Sequence, residues 1–190
     1  MLRRLLPLSL LCTVSMAGVA HSTTVIPPTF EYLVANAATI FVGEVMDVRA
    51  RWIATAQGRG VMTDVIFKVE EVWKGRLGGV TQLEFLGGTI DGITMEVVGM
   101  PTFHEGQRSV LFVSDQVRTI SPLVSFWHGR MRVEKDPFGV DRVRTYDGRS
   151  LGSPAEVAGP RANPMISVAP MRLTDLGAAV RGRVLAGRAR

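Results

Sequence analysis

Apolar and polar residues alternate along much of the middle of the chain with the period of two that half-buried β-strands show. The clearest example covers 63–70, where β-branched and aromatic residues at odd positions alternate with mostly charged residues at even positions. The alternation slips at Glu70 and Glu71, as a β-bulge would make it do, and Gly43 marks a second bulge or bend. Further strands are predicted at 40–48, 83–86, 93–97, 110–113, 123–133 and 140–146.

Turn residues separate these strands at short and regular intervals. Asp91–Gly92 fits a two-residue hairpin turn, because such turns need positive φ angles. Residues 52–60 are expected to form a connecting loop. No long amphipathic helix lies between strands, which argues against a parallel sheet. The pattern therefore predicts a mainly β domain over 21–150, folded as a sandwich or as a small closed or partly open barrel of about six strands.

A short helix is predicted ahead of the strands. Thr29 is placed to cap it, and Phe30, Leu33 and Val34 share one face. Because two turns at most are expected before Asn36, this helix needs a larger element to pack against.

A second, marginal helix is predicted at the end of the chain. Leu173, Leu176, Val180 and Val184 fall on one stripe, but three glycines each weaken the helix by roughly 1 kcal/mol relative to alanine. Residues 151–170 are rich in Gly, Pro, Ala and Ser and are predicted to form a flexible linker. Residues 171–190 then form a basic helical tail.

The first twenty residues have the order of a secretory signal peptide. A basic pair, Arg3 and Arg4, precedes an apolar run that ends in small residues, and cleavage is expected after Ala20, with Ala17 as second choice. Lipidation at Cys12 is the competing interpretation, but the residues beside Cys12 fit it poorly. The protein is therefore expected to be exported and to act in the periplasm or outside the cell.

Charge and cysteine content exclude several classes of function. The net charge of +5 arises largely from the signal segment and the C-terminal tail, so the domain between has no basic surface expected of a nucleic-acid partner. The tail is a solvated terminus or contacts an anionic envelope surface. The expected mature chain has no cysteine, which excludes thiolate metal sites and cysteine nucleophiles. It also has no apolar run of roughly 18 residues that would span a membrane.

The residues that usually carry catalysis are scattered. His104 and His128 lack the spacing of a zinc site, and Glu70 and Glu71 are adjacent in a strand, so their side chains point to opposite faces. The chain has no G-x-S-x-G or S-x-x-K motif and no phosphate-binding loop. We therefore predict no catalytic residue, no cofactor and no metal.

Tryptophan beside arginine supplies the candidate binding surface. This composition is typical of interface hot spots, and equally of residues that cap a barrel, where an arginine stem covers an indole. The candidate partner-binding residues are Trp52, Trp73, Trp127, Arg51 and Arg130.

About half of the expected mature chain resembles exported bacterial β proteins of unassigned function and, more distantly, the netrin module shared with tissue inhibitors of metalloproteases. The residues that carry the resemblance are Ile40–Val45, Val69–Gly75, Gly87–Gly88, Pro101, Phe103, Gly106 and Leu111–Phe112. The resemblance implies an OB-like barrel. In those inhibitors an N-terminal cysteine chelates the zinc of the target, whereas His21 is the expected terminus here, so no functional residue is carried over.

Three functions follow as hypotheses. The first is an exported, non-catalytic binding protein whose partner is an exported protein or an envelope component. The second, implied by the resemblance, is an inhibitor or companion of a secreted metalloprotease. The third is a hydrolase whose site is assembled only in the fold, which requires His104 or His128 to converge with carboxylates in one pocket.

Overall fold

The computed structural model describes residues 27–56, 58–115, 120–158 and 169–188, which form a mainly β structure flanked by two α-helices. The signal peptide predicted at 1–20 lies outside the described residues. The helices are α1 (Phe30–Asn36) and α2 (Leu173–Arg188), and short 3₁₀ helices cover Phe126–Gly129 and Pro154–Ala158. The strands are β1 (Thr39–Thr55), β2 (Gly58–Lys74), β3 (Val80–Leu86), β4 (Gly88–Ile90), β5 (Ile93–Met95), β6 (Arg108–Val113), β7 (Arg130–Lys135) and β8 (Asp141–Thr145).

Six of the strands form one antiparallel sheet in the order β3-β2-β1-β6-β7-β8, and β4 and β5 form a separate hairpin. The expected mainly β fold with two helices is confirmed. Of the two predicted alternatives, closed or partly open, the closed barrel is wrong, since β3 and β8 are the edges of a sheet that does not close. Closure would require β8 to pair with β3, but the free side of β8 bonds instead to residues 149–151 and 171–172. The OB-like topology stays a prediction.

The long β1–β2 hairpin corrects the predicted loop at 52–60. Pairing continues without a break from Asp47↔Ile66 to Thr55↔Gly58, so most of that segment is strand. The predicted bulge is confirmed, because Val42 pairs with Glu71 and the next residue, Gly43, pairs with Val69, which leaves Glu70 as the extra residue.

The sheet has a core on each face. One face packs against both helices. The fully buried side chains of the core between them include Leu33 of α1, Phe112 of β6, and Leu176 and Val180 of α2. The other face carries a cluster of aromatic and aliphatic residues on β1, β2, β3 and β6, into which Phe103 inserts from a loop.

Helix α1 is bounded by two side chains. Thr29 is its N-cap and accepts a hydrogen bond from the backbone N–H of Tyr32 at 3.1 Å, as predicted. At the other end, the Lys74 ammonium donates to the carbonyls of Val34 (2.7 Å) and Ala35 (3.2 Å). A side chain therefore caps each end, which helps to stabilise a helix of seven residues.

The segment predicted to be a linker begins with packed residues. Leu151 is fully buried, Val157 on the following 3₁₀ helix is 6% exposed, and both belong to the helix-side core. The N-terminal part of 151–170 is therefore part of the domain, because its apolar side chains fill the space beside α1. Residues 159–168 lie outside the described part of the chain.

Among the described residues, neither helix is long and apolar enough to cross a membrane.

A candidate binding cleft

A cleft of about 480 Å³ opens on the face of the sheet opposite the helices. Its floor is formed by residues of β1, β2 and β3, and its walls by the β4–β5 hairpin and the loop 96–104. The lining is largely apolar, and its side chains include Val48, Ala50, Phe85, Met95, Val97, Met100 and Phe103.

Glycine and turn chemistry place the hairpin over the sheet. Gly87 and Gly88 both have positive φ angles, and a Cβ on Gly88 would lie 2.2 Å from the Thr63 hydroxyl oxygen. Only glycine therefore allows the chain to leave β3 at this point. The predicted turn is confirmed, with φ of 53° at Asp91 and 75° at Gly92.

Trp52 fastens this hairpin to the sheet. Its indole N–H donates to Oδ2 of Asp91 in the hairpin turn at 3.0 Å, and the Arg59 guanidinium lies 4.2 Å from the centre of its ring. Trp52 is half-buried. Its position shows a role in holding the wall of the cleft.

Arg130 supports the opposite wall from below. Its side chain is buried, and it donates to the carbonyl oxygen of Thr102, to Oγ of Ser109 (3.1 Å) and to Oε1 of Gln107 (2.9 Å). The guanidinium also lies 4.2 Å from the centre of the Phe103 ring. Burial lowers the pKa of Arg130 to about 10, so the side chain stays charged at neutral pH.

Trp127 packs against the backbone of Gly99, a residue that lines the cleft. Gly99 has a φ of 78°, and a Cβ there would lie 2.1 Å from Cζ3 of Trp127, so the indole rests on bare backbone. The preceding residues, Ser125 and Phe126, both have positive φ angles, and this backbone conformation is strained for residues other than glycine. The ring of Tyr146 follows at 5.9 Å from Trp127.

The other two predicted binding residues lie away from the cleft. Trp73 is buried beneath α2. Arg51 points to the face of the sheet opposite the cleft, where it bridges Asp64 and Glu84 at 2.9 Å each. Asp64 and Glu84 are directly opposite in register, so Arg51 offsets a repulsion between them.

The structure thus brings three of the five predicted residues, Trp52, Trp127 and Arg130, around one cleft, where they support its walls. Sequence reasoning missed the lining itself. One signal for the lining was available in the sequence. After the hairpin, Gly99 and Pro101 break the strand pattern, and the apolar Met100 lies between them in a loop.

His104 and His128 lie in different environments and do not share a site. His104 lines the cleft together with Glu96, whereas His128 packs against Trp127 at 5.2 Å between ring centres. Burial lowers the pKa of His128. Within the described ranges, no group of three or more His, Cys, Asp or Glu side chains is placed to hold a metal ion.

Comparisons with protein-family models, with curated proteins and with solved structures each found no match for this chain. The relationship to the netrin module, and the inhibitory function it implies, therefore stay predictions from the sequence.

Proposed function

We propose that this protein is an exported binding protein that holds an apolar ligand, or an apolar group of a larger partner, in the cleft between the sheet and the β4–β5 hairpin. The observation that carries the proposal is the cleft itself, with its apolar floor and a volume of about 480 Å³. Ligand sites in proteins have this concave, mostly apolar character and a volume of roughly 300–1,000 Å³.

The construction around the cleft supports the same proposal. Trp52, Trp127 and Arg130 hold the hairpin, the loop and Phe103 in place through separate contacts. A cleft whose walls are fixed before binding loses little conformational entropy when a ligand enters. The polar residues of the lining, which are available to orient a ligand, are Thr63, Thr89, Thr94, Glu96, Thr102 and His104.

An uncharged apolar dye, 1-N-phenylnaphthylamine, tests the cleft directly. We expect saturable enhancement of its fluorescence by the wild-type protein and a dissociation constant at least roughly tenfold higher for Ala50→Trp, whose indole would fill the cleft. Ala178→Trp places the same side chain at an exposed position of α2 and is the matched control. Equal binding by the two variants, or no binding by the wild type, would contradict the proposal.

A hydrolase site is the second candidate, because His104 and Glu96 line the same cleft. Histidine is the most frequent general base, and a carboxylate close to it can orient the imidazole. If the site is catalytic, His104→Ala removes turnover of chromogenic ester substrates. If the cleft only binds, wild type and His104→Ala show the same background rate.

A further inference from the structure

The two edge strands of the main sheet, β8 and β3, differ in the backbone hydrogen bonds on their outward sides. On β8, the N–H of Val143 donates to the carbonyl of Met171 at 3.0 Å, and the N–H of Thr145 donates to the carbonyl of Arg149 at 2.9 Å. The carbonyl of Val143 accepts from Leu151 at 3.4 Å. This edge is therefore covered by segments of the chain that follow it.

The opposite edge, β3, presents backbone groups to the outside. Gly87 donates to Val61 of β2, whereas Leu86 donates outward to the carbonyl of Ile120, both at about 2.8–2.9 Å. Because the direction of backbone groups alternates along a strand, the even-numbered residues Val80, Gln82 and Glu84 also direct their N–H and C=O groups away from β2. Among the described residues, nothing forms a backbone hydrogen bond to these outward groups.

The β3 edge also lacks the devices that usually prevent strand addition. Its register with β2 is unbroken from Val80 to Leu86, and the segment contains neither proline nor lysine. Proteins that must not associate through an edge strand commonly use such residues, or a bulge, to block it. In the described part of the chain, the hydrogen bond from Leu86 to Ile120 covers the last residue of the strand and no other.

We propose that β3 pairs antiparallel with β3 of a second copy of this chain, with Gln82 of each copy opposite Glu84 of the other. The outward groups of these residues then form reciprocal hydrogen bonds around a two-fold axis at Leu83. The side chains are complementary, because a Gln82 amide faces a Glu84 carboxylate.

Arg51 makes this pairing compatible with the charge on β3. It donates to Oε1 of Glu84, which leaves Oε2 for the Gln82 amide of the second copy, and the Glu84 side chain is 52% exposed. A register shifted by two residues toward the C-terminus would place the two Glu84 carboxylates against each other and is disfavoured. The sequence of β3 is thus complementary to itself in the proposed register.

Sedimentation velocity over a range of protein concentrations tests the dimer. We expect a reversible monomer–dimer equilibrium whose dissociation constant rises at least roughly tenfold in Gln82→Pro, because proline removes one outward N–H per copy and spares the bonds to β2. Gln82→Ala is the matched control, since it keeps the backbone N–H and shifts the equilibrium less. A wild type that is monomeric at all concentrations, or equal association of the two variants, overturns the proposal.

A cross-linking experiment gives an independent answer if Gln82→Pro fails to fold. In a Cys12→Ser background, a mixture of Gln82→Cys and Glu84→Cys proteins should form a disulfide-linked dimer under mild oxidation, while Gln82→Cys alone should not. Absence of the mixed dimer, or equal cross-linking of Gln82→Cys alone, overturns the proposed pairing. The readout is independent of the cleft, so the binding proposal stands or falls separately.

Discussion

At the scale of single residues, the most informative side chain is Arg130. It is 5% exposed and has neutral acceptors, Ser109, Gln107 and the Thr102 carbonyl, among its hydrogen-bond partners. A buried charge of this kind is costly because it leaves water, and the same burial lowers the pKa of Arg130 to about 10. It persists because the guanidinium donates to the buried Ser109 hydroxyl and to two part-buried acceptors at once and packs on Phe103.

We predict that Arg130→Met lowers the free energy of unfolding by about 3 kcal/mol, because it removes the donor to the buried Ser109 hydroxyl and to two part-buried acceptors. Urea denaturation measures this change. Arg132→Met is the control, since Arg132 is 40% exposed and its bridge to Glu134 is on the surface, so its cost should stay within about 0.5 kcal/mol. Equal losses of unfolding free energy in the two variants would contradict the prediction that the buried contacts of Arg130 stabilise the fold.

At the scale of elements, α2 shows how packing overrides local propensity. Three glycines make the helix weak by sequence, yet it extends over sixteen residues. Gly177 explains the compensation, because its missing Cβ lets the helix approach the indole of Trp73. Leu176 and Val180 are then fully buried beside it, and this burial offsets the weak propensity.

Two glycine substitutions separate propensity from packing. Gly182→Ala should stabilise the protein by about 1 kcal/mol, because nothing lies within 4 Å of the added Cβ. Gly177→Ala gains the same propensity, but its Cβ would lie 3.0 Å from two ring carbons of Trp73, so we expect a net loss of about 1 kcal/mol. Thermal unfolding of the two variants tests this, and stabilisation by both would contradict the close helix approach.

At the scale of the whole molecule, Arg108 ties the sheet together. From β6 it bonds to Glu70 on β2 at 2.6 Å and to Asp141 on β8 at 2.7 Å, so its two bridges reach across β1 and β7. The hydrogen bond from Arg108 lowers the pKa of Asp141 below its usual value. A carboxylate with a lowered pKa stabilises the fold above its unfolded pKa, about 3.9, and this contribution is lost as pH falls through the folded pKa.

We therefore predict that Arg108→Met costs about 1–2 kcal/mol of unfolding free energy at pH 6 and that this cost shrinks at pH 3 and below. Urea denaturation at the two pH values measures the difference. Arg181→Met is the control, because Arg181 and Glu71 form a pair with about half of each side chain exposed; its cost should stay near zero at both pH values. A cost for Arg108→Met that is the same at both pH values would remove the assigned linkage.

Much of the fold was predictable from local pattern. The strand at 63–70, the bulge at Glu70, the Asp91–Gly92 turn and the Thr29 cap depend on neighbours in sequence, and each lies where the sequence places it. The loop predicted at 52–60 was wrong because pairing with a partner strand decides whether glycine-rich residues extend a hairpin. The candidate binding residues were found by composition, but composition does not give burial or neighbours.

The sequence by itself determined the strand periodicity, the Thr29 N-cap and the Asp91–Gly92 turn, since these follow from contacts within a few residues. Only the tertiary structure decided that the sheet stays open and that Trp52, Trp127 and Arg130 support different parts of one cleft. It also decided that later segments cover the β8 edge, whereas within the described ranges the outward backbone of β3 is bonded only at Leu86. These features depend on contacts between residues far apart in the chain, such as Trp52 with Asp91. Such contacts leave no periodic signal, because packing in three dimensions selects them.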